Sequence, residues 1–175
     1  MRITVFGASK PLPGEPEYED GVRLGTALGR LGHSVVTGGY GGVMEAVSKG
    51  AGEAGGHVIG VTTPTAFPDR PGANPWVAEE ITTPDLATRI RTLIDLADAA
   101  IALPGSIGTF AEIVLLWNAN FITTFSGSRP VPLLAVGAVW SDLLPTLHHA
   151  LDTERGHVEW VPGVEHAIQW PTLQP

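Results

Sequence analysis

Short apolar runs alternate with amphipathic segments along most of this 175-residue chain. The apolar runs have the length and composition of strands that are covered on both faces. The segments between them carry apolar residues every three or four positions, as helices with one buried face do. The alternation predicts strands joined by single helices, and therefore parallel pairing through right-handed crossovers.

The pattern predicts five strands and five helices. The strands are expected at 3–7, 34–37, 57–61, 99–103 and 131–136. The helices are expected at about 18–31, 43–51, 84–97, 109–121 and 141–151. Thr83 and Pro84 are typical of a helix start, with Thr83 as the N-cap. The segment 62–80 contains four prolines and no periodicity, so we interpret it as a long functional or interface loop.

The predicted architecture is an α/β fold with an open, doubly wound parallel sheet in three layers. We assign residues 1–155 to this single domain. Residues 156–175 are interpreted as a C-terminal extension that packs on the domain or on a dimer partner. Ligands bind such sheets outside the carboxyl ends of the strands, where the loops 7–14, 38–42 and 104–108 are predicted to converge.

Two of these loops are rich in glycine, and each leads into a predicted helix. They read Gly-Gly-Tyr-Gly-Gly at 38–42 and Pro-Gly-Ser-Ile-Gly at 104–108. Glycine allows close approach of the backbone to a ligand, and the free amides at a helix start attract an anion. The loops therefore favour a nucleotide or phosphosugar ligand. Alternatively, Thr109 and Glu112 form a capping box that satisfies the helix amides without a ligand.

Composition and charge exclude several classes of protein. A net charge of −8 with only ten Lys and Arg residues argues against nucleic-acid binding. No apolar stretch is long enough to cross a membrane, and the N-terminus lacks a signal-peptide pattern, so a cytoplasmic protein is expected. The absence of cysteine excludes disulfides and thiol nucleophiles. The six histidines show no metal-ligand spacing, and no metal site is predicted.

Four spaced motifs are more specific than the hydrophobic pattern. They are Phe6-Gly7-Ala8-Ser9, Thr37-Gly38-Gly39-Tyr40-Gly41-Gly42-Val43-Met44, Gly56-His57-Val58-Ile59-Gly60-Val61, and Arg89 followed by Pro104-Gly105-Ser106-Ile107-Gly108-Thr109-Phe110-Ala111-Glu112. In this order they resemble the LOG (Lonely guy) family, whose members have often been labelled lysine decarboxylases. The resemblance extends from residue 3 to about residue 150 and is greatest to a shorter bacterial branch.

The resemblance implies a Rossmann-like fold, a homodimer and a small-molecule ligand. Characterised members of the LOG family hydrolyse a nucleoside 5′-monophosphate, such as a cytokinin riboside monophosphate, to the free base and ribose 5-phosphate. The reaction requires no metal, and no cofactor is expected. Here the expected substrate is a cytokinin riboside monophosphate or an AMP-like nucleotide.

The resemblance also implies roles for individual residues. Arg89 and Glu112 match the two residues tied to catalysis. The phosphate and nucleotide are expected to contact Ser9, Gly38, Gly39, Gly41, Gly42, Pro104, Gly105, Ser106, Gly108 and Thr109. A carboxylate stabilises the positive charge that develops on the ribose and deprotonates or orients water, while a guanidinium holds phosphate or ribose oxygens. Glu45, where the family usually has glycine, is either a ribose contact or an acid that compensates the helix dipole.

Three departures from the family pattern keep a second function open. Ser106 replaces a glycine, Ala87 replaces a histidine and Ile90 replaces a lysine. Because the last two changes remove polar groups near the substrate, the alternative is a non-catalytic protein that binds or carries a nucleotide or a molybdopterin-type cofactor. Lysine decarboxylation is rejected, since it generally uses pyridoxal phosphate on a Schiff-base lysine and neither Lys10 nor Lys49 has a matching context.

Overall fold

The computed structural model describes residues 1–70, 72–126, 129–151, 153 and 158–174, without the side chains of residues 124 and 126. The strands are β1 (Arg2–Phe6), β2 (Ser34–Thr37), β3 (Val58–Thr62), β4 (Glu79–Thr82), β5 (Ala99–Ala102), β6 (Leu133–Val136) and β7 (Glu159–Val161). The helices are α1 (Pro16–Arg30), α2 (Val43–Glu53), α3 (Leu86–Asp95), α4 (Ile107–Ser126), α5 (Ala138–Leu151) and α6 (Val164–Ile168), followed by a 3₁₀ turn at Pro171–Leu173.

These strands form one parallel sheet in the order β4-β3-β2-β1-β5-β6-β7. Thr4 in the central strand β1 pairs with Val36 of β2 on one side and with Ala100 of β5 on the other. The chain therefore reverses its direction of winding at β1, and the ends of β1, β2 and β5 open a crevice there. The predicted doubly wound parallel sheet is confirmed.

Helices cover both faces of the sheet and create two hydrophobic cores. One core holds Leu24 of α1 and Val47 of α2 against Ile3 and Val5 of β1. The other holds Leu93, Ile113, Leu116 and Trp140 of α3, α4 and α5. Because the central strands are covered on both sides, they consist of continuous apolar runs, which explains why the sequence predicted them well.

Two edge strands were missed by the sequence pattern. β4 begins inside the segment predicted to be a loop, and three of its four residues are exposed. β7 has two exposed residues out of three. An edge strand faces solvent and commonly carries polar side chains, so it shows no apolar run. The predicted loop at 62–80 is therefore shorter than expected and ends in a strand.

The start of α3 differs from the prediction because Asp85, and not Thr83, is its N-cap. The Asp85 carboxylate accepts hydrogen bonds from the backbone N–H of Thr88 at 2.8 Å and from Thr88 Oγ1 at 2.9 Å. These bonds lower the pKa of Asp85. Thr83 instead donates its hydroxyl to the Thr62 carbonyl at 2.8 Å and ties the end of β4 to β3.

The C-terminal segment packs against the sheet of its own chain. Val164, Ala167, Trp170 and Leu173 belong to the same core as the residues of α1. The Nε2 atom of His33 lies 2.9 Å from the Leu173 carbonyl oxygen. Among the residues described, no helix is both long and apolar enough to cross a bilayer.

Candidate functional site

The loops that follow β1, β2, β3 and β5 enclose a crevice of about 230 Å³. Seven of the residues singled out in the sequence line it: Ser9, Gly38, Arg89, Ser106, Gly108, Thr109 and Glu112. They come from four separate parts of the chain, and the crossover at β1 brings them together. The roles of these residues in binding and catalysis stay predictions.

The loop between β5 and α4 presents the start of a long helix to this crevice. α4 begins at Ile107, so the amides of its first turn have no partner within the helix. A Cβ atom on Gly105 would lie 2.1 Å from Thr109 Oγ1, which shows how tightly the loop turns. A Cβ on Gly108 would meet no atom within 4 Å, so this position is open to a ligand.

The capping-box alternative for Thr109 and Glu112 is wrong. The helix starts two residues before Thr109, which places that side chain inside the first turn instead of ahead of it. Phe110 N–H donates to the Ser106 carbonyl at 3.0 Å. Neither the Thr109 hydroxyl nor the Glu112 carboxylate is hydrogen-bonded to any described residue. Both groups therefore stay available to a ligand.

The glycines of the 38–42 loop bring neighbouring backbones together. Gly42 has a φ of 72°, and a Cβ there would lie 2.5 Å from the Ser9 carbonyl carbon. The next residue, Val43, donates its N–H to the Ala8 carbonyl at 2.8 Å. Gly39 has a φ of 75° and packs on Gly60. These contacts hold the first and second loops beside each other at the crevice.

Arg89 is a buried guanidinium that the protein itself largely satisfies. Only 5% of the residue is exposed. Its Nε donates to the Val61 carbonyl at 2.7 Å, and its Nη2 donates to the Gly38 carbonyl at 2.8 Å. Arg89 therefore ties together the ends of β2 and β3. In the described ranges its Nη1 has no hydrogen-bond acceptor, so a ligand contact through Nη1 remains open.

Glu112 is the one carboxyl group among the described residues that line the crevice. Burial raises its pKa to about 7, and the positive charge of Arg89 offsets only part of this rise. Burial likewise lowers the pKa of Arg89, with Glu112 acting in the opposite direction. A carboxyl with a pKa near neutrality, in a crevice beside a cation, is typical of acid–base catalysis.

Glu45 lies in the first turn of α2, outside the set of residues that line the crevice. Its Oε1 accepts a hydrogen bond of 3.4 Å from the hydroxyl of Tyr18. Burial raises the pKa of Tyr18, and the charge of Glu45 adds to this effect. The position suits an acid that compensates the helix dipole, and a ribose contact for Glu45 stays a prediction.

Sequence reasoning missed one wall of the crevice, which Met44, Phe67 and Arg70 line. Phe67 and Arg70 come from the proline-rich segment, which was interpreted as functional without any residue being named. Arg70 lies over the rings of Tyr40 and Phe67, with its Cζ 4.6 and 4.1 Å from their centroids. Sequence reasoning could have found this wall from the phenylalanine and the arginine that lie close together in that segment.

In the residues described, no group of three or more His, Cys, Asp or Glu side chains could hold a metal ion. The crevice instead combines helix amides, two guanidinium groups and one carboxyl group. Such a set suits a phosphorylated organic ligand.

The model of the SLOG cluster4 family matches residues 1–132. The chain belongs to this family. Among its relatives, the cytokinin riboside 5′-monophosphate phosphoribohydrolase LOG2 of Arabidopsis thaliana is 34% identical over 154 residues, which are 86% of this chain and 70% of LOG2. The resemblance to the LOG family is thus confirmed.

Two further matches bear on this SLOG family member. The pyrimidine/purine nucleotide 5′-monophosphate nucleosidase of Escherichia coli (strain K12) is 36% identical over 132 residues, 70% of this chain and only 28% of the nucleosidase. The chain therefore spans less than a third of that relative. The molybdenum cofactor carrier protein MCP of Chlamydomonas reinhardtii has a TM-score of 0.73 and 26% identity, with 96% of this chain and 93% of that one covered.

Proposed function

We propose that this protein hydrolyses the N-glycosidic bond of a nucleoside 5′-monophosphate to give the free base and ribose 5-phosphate. The observation that carries the proposal is Glu112, a carboxyl group with a pKa raised to about 7 and no hydrogen bond to any described residue. It lies one helical turn beyond the anion-binding start of α4. This spacing brings an acid–base group close to a bound sugar phosphate.

The chemistry follows from this arrangement. The amides at the start of α4 and the Thr109 hydroxyl hold the phosphate. The ionised Glu112 takes a proton from a water molecule. The oxygen of that water attacks the anomeric carbon at the same time. The bond between that carbon and the base nitrogen breaks, and the base leaves with the bonding electron pair and accepts a proton from solvent, to which Glu112 later returns its own. The carboxylate also stabilises the positive charge on the ribose ring in the transition state.

The names of the relatives support hydrolysis over decarboxylation. Both LOG2 and the bacterial nucleosidase are named for reactions on a nucleoside 5′-monophosphate. Arg89 and Glu112, the two residues that the resemblance ties to catalysis, line the same crevice. A cytokinin riboside monophosphate and an AMP-like nucleotide, which the resemblance implies as substrates, are therefore candidates alongside the other nucleoside monophosphates.

The test is to incubate the protein with a panel of nucleoside monophosphates, including AMP and isopentenyl-AMP, and to measure the free base by chromatography. The matched control is Glu112→Gln, which keeps the size and hydrogen-bonding capacity of the side chain but removes the base. We expect release to fall by about a thousandfold or more while the nucleotide still raises the melting temperature. Release that persists in Glu112→Gln would contradict the proposed mechanism.

A carrier function is the second candidate, and Ala87 and Ile90 favour it. These residues stand on α3, the helix of Arg89, at positions where the family has histidine and lysine. Neither side chain is among those that line the crevice, so this candidate rests on the loss of two polar groups from α3 while the phosphate loop is kept. The similarity to MCP over nearly the whole chain agrees with this candidate. Nucleotide-dependent stabilisation without base release across the panel would favour it.

We also propose that the protein is a homodimer. α4 leaves a row of large apolar side chains uncovered, with Ile107, Ile122 and Phe125 exposed by 80, 54 and 78%. Exposed apolar surface of this kind is typical of an interface. Light scattering coupled to size exclusion tests the proposal, with Ile122→Ser/Phe125→Ser expected to give monomers. A monomer in the unaltered protein would refute it.

A further inference from the structure

Arg70 occupies a fixed place on the crevice wall that follows β3. Phe67 N–H donates to the Thr63 carbonyl at 3.2 Å, and Arg70 N–H donates to the Phe67 carbonyl at 3.1 Å. The segment therefore folds back on itself in two short turns. This folding brings the Arg70 side chain over the ring of Phe67.

The buried Tyr40 packs beneath Phe67 and Arg70 and fixes their positions. It is 3% exposed, and its hydroxyl accepts a hydrogen bond of 2.8 Å from Thr63 N–H. The rings of Tyr40 and Phe67 meet edge to face, with centroids 5.7 Å apart. The Arg70 guanidinium lies against both rings, which attract it and restrict its movement.

The donors of Arg70 have no acceptor in the part of the chain that the structure describes. The side chain makes no ion pair and no hydrogen bond there, although the protein carries a net charge of −8. Arg89, by contrast, donates to two backbone carbonyls. Two guanidinium groups thus line a crevice with a single carboxyl group, and only Arg70 has its whole N–H edge free.

The place of Arg70 in the sheet separates it from the phosphate loop. Arg70 follows β3, whereas the loop 104–109 follows β5, and β2 and β1 lie between these strands. The Arg70 guanidinium lies over the ring of Tyr40, which the Arg89 guanidinium also approaches at 5.4 Å, so it occupies the β2–β3 side of the crevice, across β1 from the phosphate loop. A nucleotide whose phosphate lies on the loop would therefore direct its base toward the wall of Phe67 and Arg70.

We propose that Arg70 reads the acceptor edge of the base and selects 6-oxopurine nucleotides, GMP and IMP, over AMP. A guanidinium presents two parallel N–H groups in one plane, which match the carbonyl oxygen and ring nitrogen that lie side by side on guanine and hypoxanthine. Adenine presents an amino group in place of that carbonyl, and this donor faces the cation. The inference rests on the proposed function, because it takes a nucleotide to be the ligand of the crevice.

Binding measurements test the inference. GMP, IMP, AMP and ribose 5-phosphate are titrated by calorimetry into Glu112→Gln protein, which blocks turnover. We expect GMP and IMP to bind about tenfold or more tightly than AMP, the scale of one bidentate contact. Adding Arg70→Ala or Arg70→Lys removes this preference and leaves the affinity for ribose 5-phosphate within about twofold. Lysine keeps the charge but lacks the planar pair of donors.

Arg91→Ala serves as the matched control, because Arg91 is exposed on the other side of α3 and pairs with Asp95 at 3.4 Å. It is expected to change none of the affinities. Arg70→Gln, which keeps most of the stem over Phe67, is used if Arg70→Ala does not fold. Three results would overturn the inference. The first is equal affinity of the Glu112→Gln protein for AMP and GMP. The others are an Arg70→Ala variant that loses as much affinity for ribose 5-phosphate as for GMP, and a preference for GMP that survives Arg70→Lys.

The binding measurement and the hydrolysis assay test different claims, and either can fail without the other. A preference that depends on Arg70, without base release by the unaltered protein, supports the inference and refutes the proposed reaction. Base release from AMP and GMP without any difference in their binding refutes the inference and leaves the reaction in place.

Discussion

Glu112 and Arg89 carry opposite charges in the same crevice, yet no ion pair joins them in the part of the chain that the structure describes. Arg89 is engaged with the Val61 and Gly38 carbonyls, so its charge acts on Glu112 from a distance. Burial therefore decides the pKa of Glu112, which rises to about 7. At neutral pH this carboxyl is divided between its protonated and ionised forms.

Hydrolysis should depend on pH through Glu112. The ionised carboxylate is the form that accepts a proton from water, so kcat/KM should rise about tenfold per pH unit below 7 and level off above it. The measurement is the rate of base release between pH 5 and 9. Since the substrate phosphate titrates near pH 6, the affinity for ribose 5-phosphate is followed over the same range as a control. A rate that falls as the pH rises through 7 would make Glu112 a general acid.

Stability should depend on the same group. The pKa of Glu112 is about 7 in the folded protein and 4.5 in its ordinary state, so the folded protein binds the proton more tightly. The associated stability is fully present below pH 4.5 and is lost as the pH rises through 7. After allowance for the partial exposure of the side chain, the loss is about 2 kcal/mol.

Glu112→Gln removes this titration, because glutamine resembles the neutral acid at every pH. Its free energy of unfolding should equal that of the unaltered protein at about pH 4 and exceed it by about 2 kcal/mol at pH 8. Urea unfolding at the two values measures the difference. A variant that is less stable at pH 8 would show that the charge of Glu112 supports Arg89 more than burial opposes it.

Arg89→Ala should destabilise the fold by about 2–4 kcal/mol, because it leaves the buried Val61 and Gly38 carbonyls without donors. Arg91→Ala, two residues further along α3, should change stability by less than about 0.5 kcal/mol, since Arg91 is exposed. Denaturant unfolding of both variants tests the comparison. An Arg89→Ala protein of unchanged stability but without activity would assign Arg89 to substrate contact alone.

Gly105 and Gly108 should respond differently to alanine. Gly105→Ala places a Cβ atom against Thr109 and should destabilise the loop by about 1–3 kcal/mol. Gly108→Ala meets no protein atom within 4 Å and should stabilise α4 by up to about 1 kcal/mol, but its methyl group projects where a phosphate would bind. Melting temperatures with and without ribose 5-phosphate separate the two effects. Unchanged ligand binding in Gly108→Ala would place the phosphate elsewhere.

The sequence alone determined the central sheet and seven of the residues that line the crevice. β1, β2, β3, β5 and β6 are apolar on both faces, so their signal survives without knowledge of the fold. Glycine loops before helices marked the ligand-binding end, and the resemblance in the motifs singled out Arg89 and Glu112. These features are local, and a local pattern is what a sequence displays directly.

Tertiary structure decided the rest. β4 and β7 are polar edge strands whose pairing depends on a neighbouring strand and not on their own composition. Arg70 reaches the crevice only because two turns fold it over Phe67, and Arg89 loses its freedom only because β2 and β3 end beside it. The pKa of Glu112 depends on how deeply its neighbours bury it. Each of these properties arises from residues far apart in the chain, so it appears only when the sheet assembles.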